Sequence, residues 1–150
     1  MTTLQAGDKA PEFEATIQDG TQIKLSDYKG KRVVLYFYPK DNTPGCTAES
    51  CDLRDNYERF LSNGYEIIGV STDGVKSHQK FISKFGLPFD LIADEDKTIH
   101  EKYGVWGEKS MYGRQYMGTF RTTFVIDENG TIEDVITKVD TKAHSAQILR

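Results

Sequence analysis

The sequence predicts an α/β domain, and three observations carry that expectation. Short apolar runs alternate with amphipathic stretches of helical spacing, turn residues separate them, and no internal repeat or low-complexity linker interrupts the pattern. A chain of 150 residues is the size of one ordinary domain and can bury most of its apolar surface without disulfide or metal staples. A single domain over residues 1–150 is therefore expected.

Taken in order, residues 13–18 and 22–25 flank Asp19-Gly20, a type I′ turn signal, and predict an entry hairpin. Ser26-Asp27-Tyr28-Lys29-Gly30 is a short turn. Val33-Val34-Leu35-Tyr36-Phe37-Tyr38 is β-branched, aromatic and unbroken by charge, so it predicts a strand buried on both faces. Over residues 47–61, Leu53, Tyr57, Phe60 and Leu61 recur at helical spacing, and Asn63-Gly64 supplies a C-cap. Residues 65–71, with Ile67-Ile68-Gly69-Val70, form the second central strand. Residues 76–85 are amphipathic and end at Gly86, residues 89–93 are extended, and residues 97–103 form a short helix. The glycine-rich, aromatic stretch 104–118 is left without regular structure. Residues 123–126 and 132–139 pair across Asp127-Glu128-Asn129-Gly130, and residues 142–150 start one more helix.

Composition narrows the function classes. Hydrophobic content of 37% with 28% charged residues reads as a soluble globular protein, and no apolar run approaches the length of a membrane span. The net charge of −4, with both signs interspersed, offers no basic patch for nucleic acid. Residues 1–8 lack a basic start and an apolar core of the secretory kind, so a reducing cytosol is the expected compartment. No cofactor is expected.

The chemistry gathers at Pro39-Lys40-Asp41-Asn42-Thr43-Pro44-Gly45-Cys46, followed by Cys51. Thr43 fits a helix N-cap and Pro44 the first helical position, which puts Cys46 in the first turn. There the free N–H groups and the positive end of the helix dipole favour a thiolate. Two cysteines in a cytosolic chain point to redox, catalytic or metal chemistry before a structural bridge. His78, His100 and His144 are scattered, with no paired ligand spacing, so no metal site is expected. On one helix, Cys46 and Cys51 would stand about 140° apart with Cα atoms ~8.5 Å from each other. A disulfide tolerates about 7 Å at most, so bridging them must unwind the first turns. Such a bond makes a poor staple but suits a cycle in which it forms and opens.

Pro39-x-x-x-Thr43-x-x-Cys46 resembles the active-site signature of peroxiredoxins, and Cys51 five residues on is similar to the bacterioferritin comigratory protein branch, also called peroxiredoxin Q. The likeness continues in Gly7-Asp8-Lys9-Ala10-Pro11-Glu12-Phe13, in Leu25-Ser26-Asp27-Tyr28-Lys29-Gly30-Lys31 and in Arg121-Thr122-Thr123-Phe124-Val125-Ile126-Asp127. It implies a thioredoxin-like fold with a mixed central β-sheet flanked by α-helices. It also implies a thiol peroxidase acting on hydrogen peroxide and organic hydroperoxides. Cys46 would be the peroxidatic nucleophile and Cys51 the resolving thiol, with thioredoxin or a similar dithiol as reductant. Thr43 would offer its hydroxyl to peroxide or sulfur while accepting from a helix N–H, Arg121 would hold the thiolate and steady the peroxide, and Pro39 would shield the sulfur. Arg114 is the alternative arginine. Glu49, one turn along, would either join Arg121 or simply complement the helix dipole, the commoner role at such a position. Trp106 would line a channel, contact thioredoxin or pack in the core. Two other classes fit less well: a thioredoxin-type exchange protein, which lacks its C-x-x-C here, and a redox-switched binding protein. Nothing in the chain demands a partner copy, so a monomer is expected over a dimer.

Overall fold

The computed structural model describes residues 1–149. Its centre is a five-stranded sheet in the order β5-β4-β3-β8-β9, built from β3 (Arg32–Phe37), β4 (Tyr65–Ser71), β5 (Asp90–Ala93), β8 (Thr122–Ile126) and β9 (Ile132–Ile136). β3, β4 and β5 run parallel, and β8 pairs antiparallel with both β3 and β9, so the sheet is mixed. Parallel neighbours need long crossovers. These are α1 (Pro44–Asp55) with α2 (Tyr57–Ser62) between β3 and β4, and α3 (Val75–Phe85) between β4 and β5. A short α4 (Thr98–Lys102) and α5 (His144–Ile148) complete the α-helices among the described residues.

The two-residue period of a strand sorts β3 onto two cores. Val33, Leu35 and Phe37 face one cluster with Phe13, Ile68, Tyr103 and Phe124; Val34, Tyr36 and Tyr38 face the other with Leu53, Phe60, Phe81 and Leu91. Each fully buried Leu or Phe there contributes about 2–3 kcal/mol, which explains why this run carries no charge. Gly69 lies opposite Tyr36 in the register, and a Cβ there would stand 2.6 Å from Leu91 Cδ2 and 2.9 Å from the Tyr36 ring. Close packing explains the glycine inside an otherwise branched strand.

Four expectations change. The entry hairpin, β1 (Glu14–Thr16) with β2 (Gln22–Lys24), exists, but Ile17 N–H bonds Thr21 O and Gly20 N–H bonds Ile17 O. Gly20 has φ +85° while Asp19 stays at negative φ, so the turn is a three-residue loop closed by a left-handed glycine and not type I′. The helix expected over 47–61 is two. Asn56 ends α1 by turning its side-chain amide onto the Asp52 carbonyl at 2.9 Å and its N–H onto Leu53 O at 3.2 Å, the local competition that makes asparagine a poor interior residue. Stretch 104–118 holds a hairpin, β6 (Trp106–Met111) with β7 (Arg114–Thr119), around Tyr112 (φ 53°) and Gly113 (φ 79°). Finally, β9 stops at Ile136, short of 139. The expected terminal helix is α5, with Arg150 outside the described residues.

Candidate active site

The chain leaves β3 at its C-terminal end and starts α1 at Pro44, with Thr43 as the N-cap residue in extended conformation. The first helical bond runs from Thr47 N–H to Thr43 O at 2.8 Å, so the N–H groups of Gly45 and Cys46 precede the intrahelical ladder. Cys46, third in the helix, is 1% exposed and sits against the apolar cluster under α1. It occupies the positive end of a twelve-residue dipole.

Strand pairing brings the cation. β8 is antiparallel to β3 with Thr122 opposite Phe37, which places Arg121 beside the point where the chain leaves β3. Its Nη2 donates to Cys46 Sγ at 3.3 Å and its Nη1 to Glu49 Oε1 at 2.6 Å. Gly45 permits this approach, since a Cβ there would stand 3.3 Å from Nη2. Burial works against the charged guanidinium, yet Glu49 and Cys46 outweigh it and hold Arg121 above its ordinary value. Glu49 is fully buried, and burial pushes its carboxyl up to about 7 against the pull of Arg121. Glu49 therefore partners Arg121, not merely the helix dipole. Lys109 on β6 is a second cation nearby: burial, then Arg121, lowers it, while the Cys46 sulfur pulls the other way.

The loop before α1 is pinned from beneath. Asp41 accepts from Tyr38 Oη at 2.6 Å and from Ser77 Oγ at 2.7 Å, its Oδ2 shares a hydrogen bond with His78 Nδ1 at 2.7 Å, and its N–H bonds Asp73 Oδ2 at 2.8 Å. Tyr36 Oη and Ser50 Oγ, 2.9 Å apart, tie α1 to β3 one turn past Cys46. Sequence reasoning found none of these supports, because all but the Tyr38–Asp41 bond join residues distant in sequence. Asp41 lay inside the motif but carried no sign of its partners.

The other expected residues fall as follows. Thr43 Oγ1 donates to Lys40 O at 2.8 Å and makes no cap bond to a helix N–H. The dual capping role expected of it is thus absent here, and its oxygen keeps its lone pairs free. Pro39 directly follows β3 and Tyr38, half-buried. Cys51 lies on α1 with a free, half-buried thiol, and Cys46 is also a free thiol. Arg114 is exposed on β7, opposite Met111. Trp106 packs edge-on against His100 with centroids 5.8 Å apart and lies under Lys97. The three histidines are apart: His78 pairs with Asp41, His100 with Asp94, and His144 lies near Glu49.

A thiol at a helix start, touched by a guanidinium that a buried carboxylate orients, can attack an electrophilic oxygen and stabilise the charge that departs. Comparison with known proteins agrees. The AhpC/TSA family model matches residues 6–135. Peroxiredoxin Bcp of Bacillus subtilis is 47% identical over 148 residues, covering 99% of this chain and 94% of that protein. Peroxiredoxin Bcp of Escherichia coli K12 is 45% identical over 149 residues, covering 99% and 96%. Among solved structures, a cysteine-to-serine mutant of the Xylella fastidiosa peroxiredoxin Q superposes with a TM-score of 0.93 at 33% identity, covering 99% of this chain and 95% of that one. The bacterioferritin comigratory protein of Xanthomonas campestris, studied for alkyl peroxide reduction, gives 0.86 at 38% identity, covering 91% and 87%.

Proposed function

This chain belongs to the AhpC/TSA family, among the Bcp and peroxiredoxin Q peroxiredoxins, and from that membership we propose which of its residues carry the reaction. The protein is a thiol peroxidase that takes a hydroperoxide as substrate and a thiol as reductant. Cys46 is the attacking sulfur. Its thiolate attacks the terminal peroxide oxygen, the O–O bond breaks, and the electron pair leaves on the other oxygen, which takes a proton and departs as water or alcohol. Cys46 becomes sulfenic acid. Arg121 holds the thiolate and meets the charge developing on the peroxide, while Glu49 fixes its plane. Thr43 orients the peroxide by accepting from it at Oγ1, while its own proton stays on Lys40 O. Pro39 shields the site. The Cys51 thiol then attacks the Cys46 sulfenic acid, water leaves, and a disulfide forms before further oxidation. Thioredoxin or a similar dithiol supplies two electrons and two protons to restore both thiols.

The contact between Arg121 and Cys46 Sγ at 3.3 Å is the observation that carries this reading. Hydrogen peroxide and small organic hydroperoxides are the proposed substrates. The alkyl peroxide activity studied for the Xanthomonas campestris relative supports the second group. The chain is read as one domain, a monomer and a cytosolic protein; no helix among the described residues is long and apolar enough to cross a membrane. Peroxide-dependent NADPH oxidation with thioredoxin and its reductase tests the proposal. Cys46→Ser should abolish turnover, and Cys51→Ser should complete one turnover and then stop cycling. Near-wild-type turnover in Cys46→Ser overturns the first role, and normal cycling in Cys51→Ser overturns the second.

A further inference from the structure

Among the described residues, Glu49 Oε2 is the buried side-chain polar atom left without a hydrogen bond. The group facing it is His144, fully buried on α5, with Nε2 at 3.6 Å. The protons on that ring can be assigned. Gln147 donates from Nε2 to Lys138 O at 3.0 Å and accepts at Oε1 from Asp140 N–H at 3.0 Å, which fixes its amide. The same Oε1 lies 2.7 Å from His144 Nδ1, so Nδ1 must carry a proton. His144 Nε2 then has Thr123 Oγ1 at 2.7 Å and Glu49 Oε2 as its neighbours. On a neutral ring Nε2 accepts, from Thr123 or from a protonated Glu49. On a charged ring it donates, to Thr123 or to the Glu49 carboxylate. One proton has two homes across this gap.

We propose that His144 is a positioning residue for peroxide reduction: by sharing one proton with Glu49 between Nε2 and Oε2, it keeps that buried pair neutral and leaves the charge of Arg121 to Cys46 and the peroxide. Whether the proton sits on carboxyl or ring, the pair sums to zero charge. Without His144, Glu49 must hold the proton alone or become a carboxylate that competes with Cys46 for Arg121. Burial raises Glu49 and lowers His144, drawing the two proton affinities together. The other charges facing the ring are divided. Asp52 on α1 and Asp140 before α5 favour its protonated form, as does the Gln147 bond, and Arg121 opposes it. The pair thus keeps its proton to higher pH than Glu49 would alone.

The inference rests on Cys46 being the attacking thiolate, so Cys46→Ser and wild type are run beside the test: a wild type that does not react with peroxide refutes that function and not this coupling. The measurement is the second-order rate of reduced protein with hydrogen peroxide from about pH 6 to about pH 8.5, with thermal stability recorded for each variant. His144→Gln should match wild type near the acid end and fall behind roughly three- to tenfold near the alkaline end, the scale of one charge at this range. Gln147→Leu keeps His144 but removes the acceptor from Nδ1, and should show the same pH-dependent deficit, smaller; it decides the matter if His144→Gln does not fold. Ser145→Ala removes the bond from its Oγ to the Asp52 carbonyl, keeps its N–H on Asp52 Oδ2 and does not touch the shared proton, and should leave the profile unchanged. A rate ratio flat with pH in His144→Gln, or in Gln147→Leu where the former does not fold, overturns the proposal, as does a Ser145→Ala profile that shifts equally.

Discussion

Glu49→Gln gives the sharpest test of the electrostatics beneath Cys46. Burial lifts the Glu49 carboxyl from 4.5 to about 7, so the folded protein resists its ionisation. A group raised in this way contributes stability that is fully present below about pH 4.5 and is lost as pH rises through about 7. At about 1.4 kcal/mol per pH unit, that rise amounts to on the order of 3 kcal/mol of stability missing at about pH 8. Glutamine has the same shape, cannot ionise, and keeps an oxygen for Arg121 Nη1 and an amide for the gap at His144. The variant should therefore equal wild type near pH 4.5 and exceed it by that amount near pH 8. Urea denaturation of the reduced protein at several pH values measures it, as a midpoint displacement of roughly 1–2 M at ordinary urea slopes. Titrating groups remote from Glu49 cancel in the difference. Parallel stability curves for the two proteins, or a less stable variant at alkaline pH, would refute the reasoning.

Three more outcomes are expected. Arg121→Met should slow the reaction with peroxide by roughly 10²–10³-fold, the usual loss when one donor to a developing anion is removed; a stopped-flow rate within about threefold of wild type contradicts that role. Oxidation by one equivalent of peroxide should lower the far-ultraviolet helical signal in wild type but not in Cys51→Ser, because both cysteines lie on α1, where the Cα separation is ~8.5 Å. A disulfide proven by mass with an unchanged spectrum would sink the unwinding. Gly69→Ala forces a methyl to 2.6 Å from Leu91 Cδ2 and should cost about 1–3 kcal/mol, read in urea; an unaltered midpoint would mean that this core yields freely.

The sheet was largely legible because β3 and β4 are buried on both faces and so carry uninterrupted apolar runs. The start of α1 was legible too, since Thr43, Pro44 and Cys46 act within four residues of one another. What stayed hidden was non-local or outward-facing. The β6–β7 hairpin exposes Met111, Tyr112, Tyr116 and Met117, so its strands show no alternation, and its turn puts a tyrosine at positive φ where Asn or Asp is usual. Arg121 reaches Cys46 because Thr122 pairs with Phe37, a register no local pattern encodes. The resemblance alone singled it out. His144 looked like one of three scattered histidines until α5 packed on α1 beside Glu49.

The most direct test locates the first oxidised sulfur. Reduced Cys51→Ser protein, treated with one equivalent of hydrogen peroxide in the presence of dimedone and then digested for mass spectrometry, should carry the adduct on Cys46, and the double variant with Cys46→Ser should carry none. An adduct on any other residue, or peroxide consumed at the wild-type rate with Cys46 unmodified, would contradict the assignment of Cys46 as the sulfur that attacks.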